Sequence, residues 1–159
     1  MSPQDFQRLI AGVTAQLDGR PLDATLGEWL NATWPVGSAT YDALAEACRT
    51  GSADGWLCNR EQGGIRFGRI IKPSPETHGF SVDVVDMKDI AGPHHVHPQG
   101  EIDLIVPLTD GATFDGHPAG WCVYGPGSAH RPTVERGQAL VLYLLPQGAI
   151  EFTRDATAA

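Results

Sequence analysis

Residues 92–103 read Gly-Pro-His-His-Val-His-Pro-Gln-Gly-Glu-Ile-Asp and carry three of the six histidines in the chain. His95 and His97 stand two apart, so on an extended strand both imidazoles project from one face. Pro98-Gln99-Gly100 is a turn-forming insert that bends the chain before Glu101 opens a new apolar stretch. Two imidazoles and a carboxylate converging from one face suit a divalent transition metal that keeps positions open for water or substrate. His130 is a fourth candidate, standing in Gly125-Pro126-Gly127-Ser128-Ala129-His130 after a second tight turn. A chain that closes such side chains around one point from two distant turns needs short strands folded onto each other.

The surrounding sequence supplies those strands. Ile65 to Lys72 and Phe80 to Met87 alternate or run apolar, separated by Pro73-Ser74-Pro75-Glu76. Glu101 to Leu108, Trp121 to Tyr124, Ala139 to Leu145 and Ile150-Glu151-Phe152 follow. Asp110-Gly111 and Asp115-Gly116 mark turns on either side of Ala112-Thr113-Phe114. Nineteen glycines and twelve prolines fit this rhythm of short strands and turns. About eight such strands suit a closed barrel or jelly roll, which removes exposed sheet edges. The expected fold is therefore mainly β, with a barrel over residues 53–154 and a frayed tail at 155–159.

Residues 1–52 read instead as a helical cover. Ser2 is a helix cap, Pro3 suits the first helical position, and Phe6, Leu9, Ile10, Val13 and Leu17 recur at helical spacing up to Gly19. Leu22, Leu26, Trp29 and Leu30 predict a second helix after Asp23 or Thr25. Tyr41, Leu44, Ala45 and Cys48 predict a third, capped by Ser38 or Thr40 and closed by Gly51. These stripes either cover one face of the sheet or form an oligomerisation arm or lid.

A formal charge of −8 and a pI near 5.0 argue against a nucleic-acid partner, whose phosphates would be repelled. No apolar run approaches the ~20 residues that span a bilayer, and no secretory signal is visible, so a cytoplasmic address is expected. Cys48, Cys58 and Cys122 are odd in number and widely spaced, which argues against a disulfide framework. The leucine-rich strand and the helical cover are compatible with a homodimer.

His95-x-His97-x-x-x-Glu101, followed by Gly127-x-x-His130, resembles the two motifs of the cupin superfamily. That resemblance implies a small barrel in which His95, His97, Glu101 and His130 bind one metal. The second motif departs from the usual pattern: Gly125 stands where proline is common, and Arg131-Pro132 follows His130. Further runs resemble a group of small bacterial cupins, the 4-hydroxylaminobenzoate lyases of nitroaromatic degradation. They are Gly55-Trp56-Leu57-Cys58-Asn59-Arg60-Glu61, Phe80 to Met87, His97 to Ile105, Phe114 to Trp121 and Gly127 to Val134. The implied activity is a lyase converting 4-hydroxylaminobenzoate to 3,4-dihydroxybenzoate and ammonia, with Fe(II), Mn(II) or Zn(II) as the ion. A cupin dioxygenase acting on a small aromatic acid, and a non-catalytic binding module, are the alternatives.

Strand parity places further candidates. Asp103 is two beyond Glu101 and shares its face, so Glu101 or Asp103 is expected to move protons. Ile65, Phe67 and Ile71 form the inward phase of their strand and bring Arg69 inward with them. There it meets a substrate carboxylate or an acidic side chain. Tyr143 and Tyr124 either offer phenols to the pocket or pack in the core. Arg66 falls on the opposite face toward solvent. His94 faces away from His95, His117 lies in a hairpin, and Cys122 reads as a small buried residue.

Overall fold

The computed structural model describes residues 1–153; the tail expected at 155–159 lies outside them. Three helices, α1 (Pro3–Leu17), α2 (Ala24–Thr33) and α3 (Ala39–Asp54), come first. Each starts where a polar side chain meets the free N–H groups of its first turn. Ser2 Oγ accepts from Asp5 N while the Asp5 carboxylate accepts from Ser2 N. Asp23 caps α2 through Leu26 N at 2.9 Å, and Ser38 caps α3 through Tyr41 N at 3.2 Å. Such caps contribute about 1 kcal/mol each.

Gly51 does not close α3 as the sequence suggests. The helix runs through it and past residue 52 to a left-handed cap at Gly55, φ 86°. A Cβ on Gly51 would stand 2.6 Å from Leu57 Cδ1 and 2.9 Å from the Trp56 ring. Close packing therefore explains Gly51, and the backbone conformation explains Gly55.

Ten strands follow among the described residues: β1 (Arg60–Gln62), β2 (Ile65–Ile71), β3 (Phe80–Ala91), β4 (His95–His97), β5 (Glu101–Pro107), β6 (Thr113–Phe114), β7 (Gly120–Tyr124), β8 (Ser128–His130), β9 (Thr133–Pro146) and β10 (Glu151–Phe152). Their pairings are antiparallel. One sheet runs β1-β2-β3-β9-β5-β7 with β6 added on β9, and a smaller sheet runs β10-β4-β8. The small sheet faces the large one: His95 lies 6.4 Å from the Tyr143 ring of β9, and His130 lies 6.1 Å from the Phe114 ring of β6. The chain is mainly β with a helical cover, as the sequence leads one to expect.

Strand β9 explains how two cores coexist. Leu140, Leu142 and Leu144 face the helices and pack with Phe6, Ile10 and Leu44. Val141, Tyr143 and Leu145 face the barrel interior with Ile105 and Phe114. Burial on both faces accounts for the unbroken apolar run, since each fully buried large side chain contributes roughly 1.5–3 kcal/mol.

Strand β2 keeps the expected parity only in part. Phe67 pairs with Val85 and Arg69 with Asp83, but a register shift falls between Arg69 and Ile71. Ile71 then pairs with Val82 and joins the helix-side core instead of the barrel interior. Arg66 keeps the solvent-facing side expected of it, with its side chain 41% exposed, while it pairs with buried Asp86 at 3.2 Å and donates to Ser52 O. Cys48, Cys58 and Cys122 are all buried free thiols, and burial pushes those of Cys48 and Cys58 up to about 12. None of the described helices is long and apolar enough to cross a membrane.

Two glycine substitutions separate packing from propensity. Gly51→Ala is expected to destabilise the fold by ~1–3 kcal/mol through overlap with Leu57 and Trp56. Gly12→Ala, in exposed mid-helix with nothing within 4 Å of the new Cβ, is expected to stabilise it by ~0.5–1 kcal/mol. Thermal unfolding of the two variants checks the opposite signs.

Candidate metal centre

The turn at 98–100 sets the geometry. Gly100 adopts φ 89°, its N–H donates to His97 O at 3.1 Å, and the chain turns from β4 into β5 of the other sheet so that Glu101 Oε2 comes 3.3 Å from His97 Nε2. A Cβ on Gly100 would meet Tyr124 O at 2.7 Å, so a larger residue is excluded twice over. Across the small sheet β8 pairs with β4, setting His130 opposite His95 and Ser128 opposite His97. One ligand atom from each of His95, His97, Glu101 and His130 then lies within 4.8 Å of all the others. Residues from two turns well separated in sequence are thus brought to one point.

The outer ring nitrogens fix the tautomers. His95 Nδ1 faces Pro93 O at 3.3 Å, and a carbonyl can only accept. His130 Nδ1 faces the Asp115 carboxylate at 2.5 Å. His97 Nδ1 lies 2.9 Å from Ser128 Oγ, whose own proton goes to Gly125 O at 2.6 Å. Each Nδ1 therefore carries the hydrogen, and each Nε2 turns a lone pair inward.

The inward atoms have nothing to bond to. His95 Nε2 and His130 Nε2 are 3.1 Å apart, His97 Nε2 is 3.3 Å from Glu101 Oε2, and His130 Nε2 is 3.7 Å from the same oxygen. His97 Nε2 and both Glu101 oxygens are buried without a hydrogen-bond partner. Burial disfavours the Glu101 anion, and only a proton on the inward nitrogen of His95 or His97 would hold its carboxyl below the usual range. A buried anion ringed by lone pairs demands positive charge, and only extra ring protons or a cation can provide it. The donor set of three imidazole nitrogens and one carboxylate fits a transition metal.

The other sequence-predicted residues lie around this centre. Asp103 is fully buried on the same face as Glu101, and neither of its oxygens has a partner. Burial, then the Glu101 charge, push its carboxyl well above the ordinary range. Asp103 pairs across the sheet with Tyr143, Tyr143 with Asp83, and Asp83 with Arg69. Arg69 thus ends a polar row on the same sheet face, three strands from Asp103, but its side chain is not drawn inside as the sequence suggests and stays 32% exposed. Its guanidinium holds Asp83 in two hydrogen bonds of 3.1 Å and donates to Gly148 O at 3.3 Å. The Tyr143 phenol, fully buried, is pushed well above its usual value by burial and by the Glu101 and Asp103 charges. Tyr124 stacks 4.5 Å from the His130 ring, but its hydroxyl is engaged by Asp115 at 2.5 Å. His94 points away from the centre and meets Thr153 Oγ1 at 2.6 Å, as strand parity requires.

Two residues that orient the clustered imidazoles escape the sequence reading. Ser128 is two before His130, so parity alone would put it on the same face. Asp115 reads as half of an Asp-Gly turn, and only the fold shows its carboxylate turned toward His130.

Fold and centre together define a small antiparallel barrel with a buried cluster of three histidines and one glutamate under a helical cover. Residues 8–152 match the family model for 4-hydroxylaminobenzoate lyase. The chain is 35% identical over 161 residues to a curated 4-hydroxylaminobenzoate lyase of Nocardioides sp. (strain LMS-CY), covering 95% of each. It is 32% identical over 159 residues to one of Pseudomonas putida, covering 89% of this chain and 90% of the relative. The chain belongs to the 4-hydroxylaminobenzoate lyase family. Among solved structures it is similar to an RmlC-like cupin protein of Ralstonia eutropha, with TM-score 0.44 and 12% identity over 59% of this chain and 62% of that one. It is also similar to the DMSP lyase DddQ of Ruegeria pomeroyi, with TM-score 0.36 and 20% identity over 91% and 76%. Those likenesses are loose, and placement in the family rests on the sequence relatives.

Glu101→Gln removes the only negative charge among the four clustered side chains while keeping its shape. It is expected to weaken binding of a divalent ion by at least about 100-fold, read by metal analysis after dialysis against a chelator.

Proposed function

We propose that this chain is a metal-dependent lyase that converts 4-hydroxylaminobenzoate and water to 3,4-dihydroxybenzoate and ammonia. One observation carries the reading: three Nε2 lone pairs and an unpartnered buried carboxylate converge on one point. The names of the relatives then select the substrate from among those such a centre can serve. His95, His97, Glu101 and His130 would hold one Fe(II), Mn(II) or Zn(II) ion. When bound, the ion supplies Lewis acidity toward the hydroxylamino oxygen and so favours N–O cleavage.

The chain's own residues account for the rest. Asp103, buried beside the centre with both oxygens free of protein partners, is placed to give a proton to the hydroxyl that leaves nitrogen as water and to take one from the water that adds at the neighbouring ring carbon. A second water then replaces nitrogen at its own ring carbon, breaking the C–N bond and releasing ammonia, so that one water is consumed overall. Glu101 is the second group within reach of those protons. Tyr143 forms one wall of the interior next to Asp103, and the Tyr124 ring forms another against His97 and His130. Arg69 receives the ring carboxylate at the far end of the polar row. Neighbouring strands are ~4.8 Å apart, so three spacings put its Cα ~14 Å from that of Asp103. An extended arginine side chain and a para-substituted benzene ring together are of that length. The substrate carboxylate would share the guanidinium with Asp83 or replace it.

Protein loaded with each candidate ion in turn is expected to release ammonia and 3,4-dihydroxybenzoate in equal amounts, without oxygen. Release of neither product with any of the ions sinks the reading, and a requirement for oxygen would favour a dioxygenase instead. Tight binding of the aromatic acid without turnover would favour a binding module.

Two variants test the assigned roles. Asp103→Asn is expected to lower kcat by about 100-fold or more with metal content unchanged. Arg69→Met is expected to raise KM by about 10- to 100-fold with little change in kcat, as loss of a charged hydrogen bond to the ground state does.

A further inference from the structure

Asp115 is absent from the cluster of four, yet three hydrogen bonds converge on its carboxylate. Oδ2 accepts from His130 Nδ1 and from the Tyr124 hydroxyl, each at 2.5 Å, and Oδ1 accepts from Thr133 N at 2.9 Å. The backbone of Asp115 is held as well, because its N–H donates to Thr133 O at 2.8 Å. The residue sits just after β6, which is itself paired to β9. This carboxylate is thus fixed to the barrel wall through both main chain and side chain.

His130 is the member of the cluster that needs such support. Its side chain is 12% exposed, against 2% or less for His95, His97 and Glu101, and its strand β8 is three residues long. His95 and His97 rest their outer nitrogens on neutral oxygens of Pro93 and Ser128. His130 alone among the three rests on a carboxylate. A carboxylate behind an imidazole holds the ring in place, keeps the hydrogen on Nδ1 and makes Nε2 a stronger donor.

We infer that Asp115 is a positioning residue that holds His130 as a metal ligand, and that Tyr124 braces His130 through the same carboxylate oxygen. The inference rests on the metal reading of the centre and adds to it a residue outside the ligand set. Asp115 does not reach the reacting atoms; it acts through His130.

The test uses the full chain, stripped of metal and titrated with Co(II) and Zn(II) against a competing chelator. Asp115→Asn keeps the shape and still accepts from Thr133 N, but its amide presents N–H groups to His130 Nδ1–H. The imidazole must then turn or move its hydrogen to Nε2, where it no longer offers a lone pair. Asp115→Asn is expected to bind either ion about 10- to 100-fold more weakly and to shift the Co(II) ligand-field bands. Tyr124→Phe, which leaves the Asp115–His130 bond in place, is expected to cost less than about 10-fold. A purely structural Asp115 would instead lower the unfolding temperature of the metal-free protein without moving affinity or spectrum. Affinity within about twofold of wild type and unchanged Co(II) bands overturn the inference.

If Asp115→Asn does not fold, the Zn(II)-loaded wild-type protein decides by nitrogen-15 NMR. A far-downfield, slowly exchanging proton on His130 Nδ1 is expected, and its absence overturns the inference. A wild-type chain that binds neither ion overturns the metal reading and this inference with it. A wild-type chain that binds while Asp115→Asn binds equally well overturns this inference alone.

Discussion

The structure depends on one electrostatic constraint. The Glu101 carboxylate is fully buried inside the barrel, facing nitrogens whose hydrogens all point away from it. Such an arrangement stands only when a positive charge occupies the gap, because an uncompensated buried carboxylate costs several kcal/mol. Much of the surrounding structure serves to keep the hydrogens outward. Pro93 and Gly125 contribute backbone carbonyls, Ser128 passes one hydrogen bond to the next, and Asp115 closes the set. The turns that look merely permissive in the sequence are the acceptors that define the ligand face.

That arrangement needs a rigid frame, and the helices supply it from the other side of the sheet. Tyr41 of α3 donates to Ile105 O at 2.6 Å, and Asn31 of α2 bonds both Trp121 N and Trp121 O at 2.9 Å. The indole of Trp121 donates in turn to Trp34 O at 2.9 Å. These contacts tie β5 and β7 to the cover. Strand β5 carries Glu101 and Asp103, so the cover governs how well the acid side chains hold their places although it supplies none of them.

The legible and illegible parts of this chain divide along a physical line. The His95-x-His97 pair was readable because alternation along a strand is local, and so was the Ser2 cap, while Asp23 and Ser38 were each one of two candidates for the caps that satisfy N–H groups a few residues away. The end of α3 was not, because Gly51 and Gly55 give the same local signal and only the position of Leu57 and Trp56 separates them. Ile71 was misplaced by a single-residue shift in register that nothing in its own strand announces. Parity put Arg69 on the inward face, but its engagement by Asp83 depends on which strand lies alongside. Asp115 was missed for the same kind of reason. Its φ of 50° suits a turn-forming aspartate, whereas its partner His130 is 15 residues further on and reached only through the fold.

The two-faced strand at the middle of the large sheet also bears on how this chain can vary. Side chains along β9 alternate between the helix-packed core and the interior that holds the centre. Adding or deleting one residue there would exchange the two sets, driving leucines toward the cluster of His95, His97, Glu101 and His130, and Tyr143 beneath the helices. Sequence drift by insertion and deletion is thereby channelled into the surface turns, and the length of this segment is expected to be the most nearly invariant dimension of the molecule.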